Sequence, residues 1–169
     1  MSASSWRPMR PDDLPAVTAI SGRVHGIYAE PLEVYAERLT LYPAGCFAYA
    51  TAKGIVGFLV FHPWHAGSPP ALGQLLGALP ARPDAIYLHD IALLPEARGS
   101  GVGAEAVALV EGEARRHGLR DITLVAVNGA ESYWRLRGFS PAALPPSKQA
   151  GYGTDAHYMR RTLGKDPLE

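Results

Sequence analysis

Two groups of residues in this 169-residue chain have the types and spacing to do chemistry. The first is a glycine loop, Arg98-Gly-Ser-Gly-Val-Gly103, between an apolar strand (Ala85 to Leu93) and the helix it opens. Gly99, Gly101 and Gly103 leave backbone N–H groups uncovered where that helix begins. Such groups, with the positive end of the helix dipole, make an anion site, and a phosphate is its natural occupant. The second is His89-Asp90, two groups able to exchange a proton, placed in the strand just before the loop. Strand alternation puts Tyr87 on the face of His89 and turns Asp90 the other way, unless a bulge re-aims it.

The glycines alone fit more than one cradle. A P-loop needs Gly-Lys-Ser/Thr after its spacer, and Gly101-Val102-Gly103 supplies no lysine. The dinucleotide fingerprint of a nicotinamide oxidoreductase is matched in its degenerate form by Gly99, Gly101 and Ala104, with Asp121 near the distance where its acid is wanted. Yet Asp121 precedes its strand, and Pro95-Glu96-Ala97-Arg98 separates the first strand from the glycines.

The wider constellation resembles a known family. Arg98-Gly-Ser-Gly-Val-Gly103 is similar to the Arg/Gln-x-x-Gly-x-Gly/Ala signature of the GCN5-related N-acetyltransferase superfamily, and the preceding strand ends in Leu93-Leu94-Pro95 as that family's usually does. Downstream, Asn128-Gly-Ala-Glu-Ser-Tyr-Trp-Arg-Leu-Arg-Gly-Phe139 resembles the family's second motif. The resemblance implies an N-acetyltransferase that moves an acetyl group from acetyl-coenzyme A to a primary amine by direct attack. The acceptor would be a small molecule or a peptide, with a homodimer left open as an assembly.

The resemblance also distributes roles. Arg98, Gly99, Ser100, Gly101, Val102 and Gly103 would hold the pyrophosphate of coenzyme A. Ile91, Ala92 and Leu93 would bond pantetheine through their main chain, as an added strand does, and Asn128 and Trp134 would flank its other side. An amine acceptor arrives mostly as ammonium, with a pKa near 10.4, and needs a base. His89 and Asp90 are the two candidates; His89 stands where members similar to serotonin acetyltransferase place a histidine. Family members with a tyrosine acid usually carry it four residues before the glycine of Gly-Phe. Here that residue is Trp134, with Tyr133 one place earlier, so the thiolate is protonated either by Tyr133 or by water. Loss of that tyrosine supports the alternative of a coenzyme A-binding regulatory module with little catalysis.

The elements that must position these groups can be read from periodicity and punctuation. Trp6 to Arg10 predicts a short first strand, Pro11-Asp-Asp-Leu-Pro15 opens a helix running to about Val24, and Leu32 to about Leu41 predicts a second helix. In the family such a helix pair walls the acceptor site, which brings Tyr28, Glu30, Tyr35 and Tyr42 within reach of an acceptor. Phe47–Ala52 and Ile55–Phe61 are strands of a hairpin turning at Lys53-Gly54. From His62 to Asp84 the chain is rich in proline and glycine, a long loop with a short helix expected at Ala71–Leu79. His62 and His65 lack a third ligand at metal-site spacing, so no metal is expected. After the glycines the helical spacing runs to Gly118; Gly112 inside it predicts close approach to a neighbour. Ile122 to Val127 is an almost wholly apolar strand, so 85–127 forms a parallel βαβ unit. A short helix at Glu131–Arg137, a strand starting at Phe139, a glycine-rich turn after Pro146 and a last strand at Ala156–Leu163 complete the chain.

The fold class is therefore α/β, a mixed central sheet of about six or seven strands flanked by helices, as one domain over 1–163 with a tail at 164–169. Lys plus Arg and Asp plus Glu are both 16, so no basic excess draws the chain to nucleic acid or anionic membrane. The single cysteine, Cys46, excludes an internal disulfide and reads as a buried strand start. No leader opens the chain and no apolar run approaches the ~20 residues that span a bilayer, which predicts a cytoplasmic protein without a membrane partner.

Overall fold

The computed structural model describes residues 4–144 and 155–165. Among these, the strands β1 (Ser5–Pro8), β2 (Cys46–Thr51), β3 (Gly54–Trp64), β4 (Ala85–Leu93), β5 (Asp121–Ala126), β6 (Ser140–Pro141) and β7 (His157–Thr162) form one sheet in the order β1-β2-β3-β4-β5-β7-β6. The β4–β5 pair is parallel and is joined by a crossover helix; the other pairs are antiparallel. The helices are α1 (Leu14–His25), α2 (Leu32–Leu41), α3 (Val102–Arg116) and the short α4 (Glu131–Arg135). The expected class, a mixed sheet flanked by helices, is the one observed.

Each face of the sheet has its own core. On one side Val17 and Ile20 of α1 and Tyr35 of α2 pack on Phe58, Val60 and Ala92. On the other side Ala106, Val107, Val110 and Ala114 of α3 recur at helical spacing against Leu59, Phe61, Ile86, Leu88, Ile122 and Leu124. β5 is buried along most of its length, as its apolar run requires.

The structure departs from the pattern reading at several points. β3 continues through His62 and Pro63 to Trp64. Past Val60 it has no β2 partner, so a proline lacking its N–H is tolerated on that open side. Residues 71–79 form turns and no helix, because Gly73 and Gly77 both adopt φ of 77°, which ends helical propagation. Gly112 has no neighbour within 4 Å of the position its Cβ would take, so the expected close approach is absent and nothing in the structure explains that glycine. The second-motif helix ends at Arg135, and the strand expected at Phe139 is the two-residue β6, both shorter than read. The glycine-rich turn after Pro146 and most of the 164–169 tail lie outside the described residues. No helix among the described residues is long and apolar enough to cross a membrane.

Candidate active site

β4 carries the site because of one irregularity. Its register with β3 is Val60↔Asp90 followed by Phe61↔Leu88, so His89 is an extra, bulged residue. Before the bulge the even residues Ile86 and Leu88 face α3; after it the even residue Ala92 faces α1 and α2. The bulge therefore turns two consecutive residues, His89 and Asp90, toward the α1 side. His89 lies 6.1 Å from the Tyr87 ring and 6.4 Å from the His62 ring, while Asp90 meets side chains of α1 and α2. Strand alternation alone would have separated them.

The parallel pairing of β4 with β5 ends at Tyr87↔Thr123, although both strands run on to Leu93 and Ala126. The two strands splay, and a cavity of about 470 Å³ opens between them. Its walls include Ile91 and Leu93 of β4, Leu124 to Val127, the second-motif residues Asn128, Tyr133 and Trp134, and Arg98. Its inner end holds His25, Glu30, His89 and Asp90. Backbone groups of β4 on the unpaired side are free of a β5 partner, the condition for an extended ligand to add as a strand. Ala92 is buried among α1 and α2 residues, so only its main chain can take part.

At the cavity's outer end the Arg98 Nε donates to the Leu93 carbonyl at 3.0 Å, tying the loop to the strand end. Gly99 and Gly101 have φ of 91° and 78°, left-handed values that glycine adopts without strain, and Gly101 caps α3 with no side-chain hydrogen bond. The uncapped N-terminus, with open space around Gly99 and Gly101, fits an anionic group. Gly103 has a different reason. A Cβ there would lie 2.2 Å from the Tyr133 hydroxyl oxygen, so this glycine admits the tyrosine and does not serve the phosphate alone. Tyr133 is further held by the Arg137 guanidinium 3.4 Å over its ring. Trp134 reaches the cavity wall but is only 5% exposed and packs edge-on against Phe139, so most of it belongs to the core.

The inner end is a buried polar network in which His25 and Ser21, not singled out from the sequence, join His89, Asp90, Glu30 and Tyr35. His25, the last residue of α1, places Nε2 2.6 Å from Asp90 Oδ1, and the Tyr35 hydroxyl donates to Asp90 Oδ2 at 2.6 Å. Ser21 shares a 2.7 Å hydrogen bond with the Tyr35 hydroxyl. Glu30 Oε1 lies 2.6 Å from His89 Nε2, out of line for a hydrogen bond, and neither ring nitrogen of His89 makes one. Burial alone would raise the Asp90 pKa, but the neighbouring His25, with the hydrogen bonds from it and from Tyr35, brings it below the usual carboxylate range. Burial works against charge on His25, yet the facing Asp90, with Glu30, lifts its pKa above the usual histidine value. Both Asp90 oxygens thus accept hydrogen bonds, while the His89 imidazole lies beside Glu30 with no aligned hydrogen bond among the described residues. Tyr42, read as an acceptor contact, instead donates to Glu113 of α3 and is not among the cavity walls.

The Pro/Gly-rich segment is held over this end by the same helices. Glu30 Oε2 accepts from the Gly73 N–H at 2.8 Å, and Glu37 accepts from Leu76 and Gly77 at 2.6 and 3.0 Å. Arg38, 1% exposed, donates to Glu37 and to the Gln74 carbonyl. Asn128, with φ of 55°, reaches the His25 carbonyl at 3.5 Å, so the two walls meet at the cavity mouth.

Residues 14–139 match the model of the acetyltransferase (GNAT) family. Among solved structures, the chain is similar to the loading GNATL domain of CurA from Lyngbya majuscula, with TM-score 0.79, 13% identity, and 95% of this chain and 98% of that one covered. It is similar to Ard1 from Thermoplasma volcanium with TM-score 0.73 and 16% identity, covering 97% and 100%. Naa20 from Chaetomium thermophilum, solved with a bisubstrate analogue, gives TM-score 0.69 and 18% identity over 94% and 86%. No curated protein sequence matches the chain at a significant level. Because the family model spans most of the chain, including β4, the glycine loop and the second motif, the chain belongs to the acetyltransferase (GNAT) family.

Proposed function

We propose that residues 1–163 form a single N-acetyltransferase unit that moves an acetyl group from acetyl-coenzyme A to the primary amine of a small molecule or peptide. The observation that carries this reading is the cavity itself, which runs from Arg98 beside the glycine loop to the unbonded imidazole of His89. Acetyl-coenzyme A brings the activated thioester. The chain's residues bind, orient and exchange protons around it. Backbone N–H groups at Gly99 to Gly103 oppose the pyrophosphate charge, with Arg98 beside them. The unpaired edge at Ile91 to Leu93 orients the extended arm, and an amide at Leu93 faces charge developing on the thioester oxygen.

The acceptor enters as ammonium and must lose a proton before it attacks. His89 takes that role, directly or through a water, because Asp90 has both oxygens occupied by His25 and Tyr35. Asp90 acts instead as the group that holds His25. The thiolate leaves with a proton from water or from Tyr133, whose hydroxyl rests on Gly103. A coenzyme A-binding module with little catalysis is the second reading, favoured by the burial of Trp134 where the family's tyrosine acid usually stands.

The test is a panel of primary amines with acetyl-coenzyme A, following free thiol and acetylated product. Transfer to at least one amine, reduced at least tenfold by His89→Ala with coenzyme binding retained, supports the first reading. Coenzyme binding without transfer to any amine supports the second, and thermal stabilisation by NAD but not by coenzyme A would refute both.

A further inference from the structure

We propose that Glu30, His89 and Asp90 form a site for a divalent transition-metal ion with one coordination position open to the cavity, and that an ion held there withholds the His89 lone pair from the acceptor amine. The second half rests on the base role given to His89 above; the first half does not.

The donor set is one imidazole and two carboxylates, whose ligand atoms all lie within 4.8 Å of one another. Bonds of about 2.0–2.1 Å to a tetrahedral ion separate neighbouring ligand atoms by about 3.3 Å, so modest side-chain adjustments close the site. Nitrogen with hard oxygen, and no sulfur, suits Zn²⁺, Co²⁺ or Mn²⁺.

An independent observation points to a ligand. The His89 side chain is 2% exposed, faces the cluster, and neither ring nitrogen has a hydrogen-bond partner among the described residues. Its Nε2 approaches Glu30 Oε1 to 2.6 Å without aligning an N–H with it. The two atoms converge beside each other without pointing at each other, and a separation of about 0.7 Å would bring them to the spacing of two ligands on one ion. Buried polar groups left so are uncommon, and each calls for a missing partner.

The surroundings supply the outer contacts that orient metal ligands. Asp90 is held by Tyr35 and His25, and Glu30 by the Gly73 N–H. The side chains of Glu30 and Asp90 are 4% and 8% exposed. Asp90 already faces His25 and Arg38 is paired with Glu37, so the charge left for a divalent cation to balance is mainly that of Glu30. All three ligands line the cavity, which gives the ion its route and leaves a fourth position for water.

The experiment uses the full chain, stripped with a chelator and titrated with Zn²⁺ by calorimetry and thermal shift, and with Co²⁺ by visible absorption. Expected are saturable binding at one ion per chain and a Co²⁺ spectrum of a low-coordinate nitrogen–oxygen site. Glu30→Gln and His89→Gln should each weaken binding at least tenfold, while His117→Gln, a histidine on α3's far end, leaves it unchanged. Absence of saturable binding, binding indifferent to both substitutions, or a Co²⁺ spectrum of a fully hydrated octahedral ion overturns the site; the wild-type spectrum decides even where a variant fails to fold. Added Zn²⁺ should also slow amine acetylation by the wild type. Binding with an unchanged rate overturns the inhibitory half. Binding to a chain that acetylates nothing leaves the site standing and counts against the proposed function.

Discussion

Replacing Gly103 with alanine should expose the contact that seats the second motif on the glycine-loop helix. The new Cβ would stand 2.2 Å from the Tyr133 hydroxyl oxygen and 3.5 Å from both Tyr133 Cζ and Arg137 Nη2. Non-bonded atoms sit comfortably at about 3.5–4.0 Å, so the hydroxyl must retreat by more than about 1 Å. Its retreat is impeded by the Arg137 guanidinium 3.4 Å from the ring centre and by the Trp134 ring at 5.0 Å. Overpacking of this kind costs about 1–3 kcal/mol, while alanine gains up to about 1 kcal/mol over glycine inside a helix. Gly103→Ala should therefore destabilise by about 0–3 kcal/mol. In a Tyr133→Phe background the offending oxygen is gone and the next atoms are at ordinary distance, so the same change should be neutral or stabilising by up to about 1 kcal/mol. The coupling, about 1–3 kcal/mol, is read from denaturation midpoints of the four proteins in a double-mutant cycle. Equal cost in both backgrounds would show that Tyr133 does not rest on Gly103.

Glu37→Gln should loosen the segment over the inner end of the cavity. It leaves one accepting oxygen where two served Leu76, Gly77 and Arg38, and removes the charge that faces buried Arg38, at about 1.5–3 kcal/mol; faster limited proteolysis within 65–84, with α2 intact, is the readout. Gly45→Ala should be among the most damaging single changes, at about 3 kcal/mol or more, because its Cβ would fall 1.9 Å from the Phe61 carbonyl oxygen, which β-sheet pairing keeps from moving; the soluble folded yield checks it. Asp121 is held below the usual carboxylate range by its hydrogen bond from Arg160 and that from Thr162. Its folded pKa is thus below its unfolded one, so the stability it contributes is present above the unfolded value near 3.9 and is lost as pH falls through the folded value. Asp121→Asn should flatten that part of the acid limb in thermal melts, at a neutral-pH cost of about 1 kcal/mol or less for so exposed a pair.

Much of the frame was legible because it depends on local rules. The apolar runs of β4 and β5, the helical spacing of Val102, Ala106, Val110 and Ala114, and the hairpin at Lys53-Gly54 each follow from patterning and turn chemistry that neighbours in sequence decide. The glycine loop could be read for the same reason: left-handed backbone at Gly99 and Gly101 and a bare helix N-terminus are properties of a few consecutive residues. Of the residues read as acceptor contacts, Glu30 does line the cavity, whereas Tyr35 is wholly buried behind Asp90 and off the cavity wall.

What local rules cannot set is which distant groups share a buried volume. Nothing in the spacing of His25 and Glu30 tells that they meet β4, or in that of Arg38 that it reaches the Gln74 carbonyl, and Gly103 differs from the other two loop glycines only because Tyr133 lies against it. The short helix expected at 71–79 failed because Glu30 and Glu37, some forty residues away, capture its backbone N–H groups around two left-handed glycines. The amino-acid sequence by itself determined the α/β frame and the glycine loop with its bare helix N-terminus, since both are written in short-range pattern. Only the tertiary structure decided the chemistry of the inner end, since a single bulge at His89 turned two adjacent residues to one face and packed α1 and α2 against them.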